Sequence, residues 1–318
     1  MKKLLEKNKL RRIVSVLLFT SAVIFSGVIL VREGTKIPWQ DFHLNIGLVI
    51  LSLVVSTIGY IPAFVSWQNI LHVYRIQSLT MDDFRNFVYA MLGSMLPGGV
   101  WQLVGRSMLY SKQEGGSVKI AAASGLEIII IGAGAWLVYL VGLYFYPEMN
   151  FIQLGPLFQI LFLVPIVIVL EPHVLERLNS FVLKKVQPKL QVQAIRFSLM
   201  NIIFILAMEV LTVLIGGLAV FIFLNSVVEI PIQNIIPIIA AYSFSIAFAN
   251  LLFWFPGKMI VKDSALAIAL TQFTPLGMSL VFVILVRLWS IFTILVPAGL
   301  VWLIFDVFHL FKRETSVT

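Results

Sequence analysis

The sequence predicts an all-α, polytopic integral membrane protein with about eight transmembrane helices. Two observations carry that prediction. The first is composition: 60% of the 318 residues are hydrophobic and only 12% are charged, where soluble domains carry about 25% charge. A mean hydropathy of +1.00 is more apolar surface than a soluble fold can enclose. The second is distribution. The apolar residues fall in long runs, each near the ~20 residues needed to cross ~30 Å of hydrocarbon.

The runs appear in order along the chain. A basic start (Lys2, Lys3, Lys7, Lys9, Arg11, Arg12) precedes an apolar run from Ile13 to Val31. That run is longer than a signal-peptide core and lacks a clear small-residue cleavage site. It is expected to be an uncleaved first span with a cytoplasmic N-terminus, in the plasma membrane. Further runs are Ile46–Ser66, Ile120–Phe145, Gly155–Leu170, Phe197–Leu224, Ile235–Phe255, Leu276–Ile294 and Val296–Phe311. The one long hydrophilic stretch, Glu171–Arg196, is basic. The spacing of Val174, Leu175, Leu178, Phe181 and Val182 predicts a helix lying on the cytoplasmic membrane surface. Tyr146–Leu154 and Asn225–Asn234 lack Lys and Arg and are expected outside. Lys312-Arg313 points to a cytoplasmic C-terminus.

Two breaks interrupt this pattern. Leu96-Pro97-Gly98-Gly99 separates Phe84–Met95 from Val100–Tyr110, and Phe255-Pro256-Gly257 precedes the short piece Ser264–Phe273. Proline removes a backbone donor and glycine loosens a helix, so Pro97, Gly98, Gly99, Pro256 and Gly257 mark broken, re-entrant-type helices. The two breaks are followed by similar charge patterns. Arg106 lies 9 residues and Glu127 30 residues after Pro97, whereas Asp263 lies 7 and Arg287 31 after Pro256. The order of charges is reversed between the copies. Interrupted helices in two halves point to a transporter-type site near the midplane. The chain therefore divides into a first repeat over about 46–170 and a second over about 197–311. A basic segment at 171–196 joins them within one transmembrane domain.

Arg106, Glu127, Glu209, Asp263 and Arg287 lie in or beside apolar runs. Each costs about 2.5–3.5 kcal/mol at a helix centre unless it faces a partner or a watery cavity. Arg106 can pair with Glu127 and Asp263 with Arg287, or the pairs can form crosswise. An arginine fork suits a lipid phosphate, and all four residues also fit the role of structural counter-ion. Asp263 could simply cap a helix beginning at Ser264. Trp101 and Gln102 are candidate cavity-lining residues, and Trp101 also fits an interfacial anchor. Glu209 has no motif around it and reads as structural.

The chain has no cysteine, and His43, His72, His173 and His309 are scattered, so neither thiolate chemistry nor a metal site is suggested. No nucleophile motif, P-loop or dinucleotide fingerprint is present, and neither enzyme activity nor a cofactor is expected. The +8 charge gathers at the ends of apolar runs and suits anionic lipid rather than nucleic acid. Gly132-Ala133-Gly134 reads as small-residue helix packing.

The stretch Leu96-Pro97-Gly98-Gly99-Val100-Trp101-Gln102-Leu103-Val104-Gly105-Arg106, with Gly116-Ser117, Ala121 and Glu127, resembles a signature of the flippase-like membrane family. That family is related to the transmembrane region of lysylphosphatidylglycerol synthase, the multiple peptide resistance factor. Its second signature corresponds to Pro256–Asp263 with Arg287 beyond. Here Lys258 and Ile260 replace glycines, and Asp263 replaces a glutamate. The resemblance implies a bundle of about eight helices that moves or holds lipids, with membrane lipids as partners. Expected ligands are an anionic phospholipid or a lipid-linked glycan, held at Arg106, Glu127, Asp263 and Arg287. An alternative is an accessory protein for a lipid-modifying glycosyltransferase. Only Lys312–Thr318 follows the last run, so the synthase's aminoacyl transfer is not expected.

Overall fold

The computed structural model describes residues 39–76, 80–95, 101–110, 116–147, 164, 166–186, 195–252 and 258–307. No strand occurs among them. Helix α1, Ile46–Val73, opens at Asn45, whose side-chain oxygen accepts the Leu48 N–H at 3.2 Å. It runs seven residues past the expected end at Ser66. Helix α2, Thr80–Leu92, closes in a 3₁₀ turn at Gly93–Met95, and α3 resumes at Trp101–Leu109. At about 1.5 Å per residue, α2 is about 20 Å long and α3 about 13 Å, too short to cross hydrocarbon alone. The two helices pack together. A Cβ at Gly93 would lie 2.7 Å from the Trp101 backbone, so a side chain there would push them apart.

Helix α4 spans Gly116–Phe145, and α5, Pro172–Val186, occupies the basic linker. Leu175 of α5 is buried while Phe181 is exposed, in keeping with an amphipathic helix. The carboxylate of Glu176 accepts the Phe197 N–H at 3.0 Å and ties α5 to the entry of α6, Leu199–Asn225. Then come α7, Ile235–Leu251, α8, Lys258–Leu270, and α9, Leu276–Val301.

Among the described residues, five helices are long and apolar enough to cross a membrane: Ile46–Val73, Ser117–Phe145, Leu199–Asn225, Ile232–Leu251 and Leu276–Phe305. The chain is a multi-pass helical membrane protein. The two spans expected at Leu276–Ile294 and Val296–Phe311 are corrected to one. Helix α9 continues through Val301 and passes without a loop into a π-helical turn at Trp302–Val307. Only Leu295 separates those runs, and Pro297 is absorbed inside the helix. The run Ile13–Val31, the break residues Pro97, Gly98, Gly99, Pro256 and Gly257, most of Gly155–Leu170 and the end from Phe308 onward lie outside the described residues.

Helices α1 and α6 form the most extensive contact and run antiparallel. His43 N–H donates to Val227 O and Asn45 N–H to Ser226 O, both at 2.9 Å. Gly59 faces Ile215, Ser66 faces Glu209, and the ring of Tyr74 meets that of Phe197. As one helix ascends in number the other descends. The other contacts are reciprocal: α4 packs on α7 and α9 on α2, while α4 also touches α6 and α9 touches α1. Glycine lets α4 lie close to its neighbours. A Cβ at Gly142 would sit 2.7 Å from Ala240 Cβ, and one at Gly132 would sit 3.3 Å from Asn250 Cβ. The expectation of small-residue packing there holds.

Candidate functional site

The two candidate charge pairs form within their own halves, not crosswise. The Arg106 Nη1 and Nη2 groups both donate to Glu127, Nη2 reaching Oε1 at 3.2 Å. Arg287 Nη1 donates to Asp263 Oδ2. The registers coincide. Arg106 is the sixth residue of α3 and Asp263 the sixth of α8. Glu127 is the twelfth residue of α4 and Arg287 the twelfth of α9. In one half the arginine comes from the short helix, and in the other from the long one. Asp263 thus sits inside α8, which begins at Lys258, and does not cap a helix starting at Ser264.

The pairs differ in setting. Arg106 is 1% exposed. Its guanidinium lies 4.0 Å from the ring centroid of Trp67 and 5.0 Å from that of Phe87. Such cation–π contacts contribute about 0.5–2 kcal/mol. The Arg106 Nε–H is buried and has no hydrogen-bond partner among the described residues. The second pair is open, with side-chain exposures of 43% for Arg287 and 28% for Asp263. Exposed Ile284, Leu288 and Ile291 flank Arg287 on α9. Its Nη2 also approaches Met259 Sδ at 3.5 Å.

Several participants went unnoticed in the sequence. Asp83, buried on α2, accepts the Tyr110 hydroxyl at 2.8 Å, and Tyr110 in turn accepts Trp67 Nε1–H at 3.5 Å. Ser66, the residue before Trp67 on α1, donates to Glu209 Oε1 at 2.5 Å. Lys258, first residue of α8, lies within electrostatic reach of Glu127. In the sequence nothing sets Trp67 and Phe87 apart from other large apolar residues, and Asp83 stands beside Asp82 in the first turn of α2. Only the doubled Asp82-Asp83 hinted that one of the two could turn inward.

Trp101 and Gln102 sit at the start of α3 beside the break. Trp101 is exposed, and Gln102 Nε2 contacts Met91 Sδ at 3.2 Å. No His/Cys/Asp/Glu group suited to a metal occurs among the described residues. No family model matches the sequence, and no curated protein or solved structure matches it either.

Proposed function

We propose that this protein is a flippase-like carrier that moves a lipid or lipid-linked glycan between leaflets. Arg106 and Arg287 bind the phosphate of the head group, and Glu127 and Asp263 hold those arginines when the site is empty. One observation carries the reading: two ion pairs of reversed order at the same register, six residues into a short helix and twelve into a long one. The antiparallel α1–α6 seam and the reciprocal packing around it support two halves related by an in-plane axis. The contact of α2 with α3, and of α7 with α8, supports re-entrant pairs around a midplane site. The site takes an anionic head group because a guanidinium fork matches phosphate oxygens two at a time.

The test is reconstitution. Purified protein should move fluorescent phosphatidylglycerol across vesicles, and Arg106→Ala should abolish the movement. Equal rates in mutant and wild type would overturn the role given to Arg106.

A second reading is a non-transporting partner of a lipid-modifying glycosyltransferase. The open Asp263–Arg287 pair on an apolar face favours it, as a charged docking point for another membrane protein. Co-purification of a transferase that is lost in Arg287→Ala, with no lipid movement in vesicles, would decide for this reading.

A further inference from the structure

Glu209 lies in the middle of α6, a spanning helix, and is 1% exposed. Among the described residues its hydrogen-bond partner is the Ser66 hydroxyl, and none of their cations lies within ion-pair distance of it. Holding a bare carboxylate in such surroundings costs several kcal/mol. Two contacts place it beside the Arg106–Glu127 pair. On α1, Ser66 bonds Glu209 while the next residue, Trp67, covers Arg106. On α4, a Cβ at Gly134 would lie 3.5 Å from Glu209 Cβ, and Gly134 is two turns beyond Glu127 on the same face. Among the described residues, the charged groups within electrostatic reach are Glu127 from α4 and Arg106 from α3. From α1 comes the Ser66 hydroxyl. On α7, Tyr242 meets α6 two turns away, at Gly216, and α9 meets it at Phe223 through Trp289.

We propose that Glu209 is a proton-binding site in the bundle interior: it carries a proton while Arg106 is locked to Glu127, and on losing that proton it becomes a second anion competing for Arg106. The buried Arg106 Nε–H, without a partner, is the donor such an anion would attract. Proton release and the opening of the first pair are then one event. The use of the proton for transport rests on the carrier reading above. The presence of the proton does not.

Two measurements on the full chain separate these claims. Infrared spectra of protein in lipid nanodiscs at neutral pH should contain a protonated-carboxyl stretch that Glu209→Gln removes. Glutamine keeps the side chain's shape and an oxygen for Ser66, so the variant should fold. Identical carboxyl spectra in the two proteins would overturn the proposal. The second measurement follows fluorescent phosphatidylglycerol in phosphatidylcholine vesicles under an imposed pH gradient. Wild type should respond to the gradient and Glu209→Gln should not. An unchanged gradient response in the variant would overturn the coupling. If wild type moves no lipid while the infrared band behaves as expected, the carrier reading fails and the proton site stands.

Discussion

Removing Glu127 isolates a charge that the fold has enclosed. In Glu127→Ala, Arg106 remains 1% exposed between Trp67 and Phe87 but loses both hydrogen bonds from its Nη groups. With Nε already unpartnered, the whole guanidinium is then unsatisfied. Stripping one partner from a buried pair costs about 3–5 kcal/mol, because the survivor stays desolvated. Replacing both charges, as in Arg106→Met with Glu127→Met, removes the stranded ion. Methionine packs well against aromatic rings, and exchanging a buried pair for apolar residues is often neutral or better. Equilibrium unfolding in mixed micelles should therefore give a large loss for Glu127→Ala and recovery of most of it in the double variant. Lipid movement should be absent from both. A Glu127→Ala protein within about 1 kcal/mol of wild type, or a double variant no better than the single, would refute the claim that Arg106 is sealed and dependent on Glu127.

Other outcomes follow from the same geometry. Gly142→Ala drives its methyl into Ala240 Cβ, 2.7 Å away, and should cost about 1–3 kcal/mol; adding Ala240→Gly should restore the melting temperature. Trp67→Leu removes the ring over Arg106 and should destabilise more than Trp67→Phe, by about 0.5–2 kcal/mol in the same unfolding assay. Arg287→Ala should stop lipid movement as fully as Arg106→Ala. It should destabilise less than Glu127→Ala, because the Asp263 it abandons is 28% exposed.

The membrane character of the chain was legible because it rests on composition, and composition does not depend on packing. The charges were legible for the same reason: an ionisable residue such as Glu127, among Leu126 and Ile128–Ile131, stands out against any apolar background. Their within-half pairing was not, since spacing along the chain allows Arg106 to reach either acid. The division of the last apolar stretch into two spans failed because length alone suggested it. No turn-forming residue lies between Ile294 and Val296, and the helix carries Pro297 in its interior rather than ending at it. The aromatic cover on Arg106 was hidden for a different reason. Trp67 and Phe87 belong to α1 and α2, and only tertiary folding brings those helices over α3.

The unequal shelter of two similarly built pairs sets an order of events. Asp263 and Arg287 already stand partly uncovered, so a charged visitor meets them without moving any ring aside. Arg106 must first slip from under Trp67 and Phe87 and exchange two bonds at once. In the carrier proposed above, the first step is then the cheap and quick one and the second the slow one, with the sealed arginine as its latch.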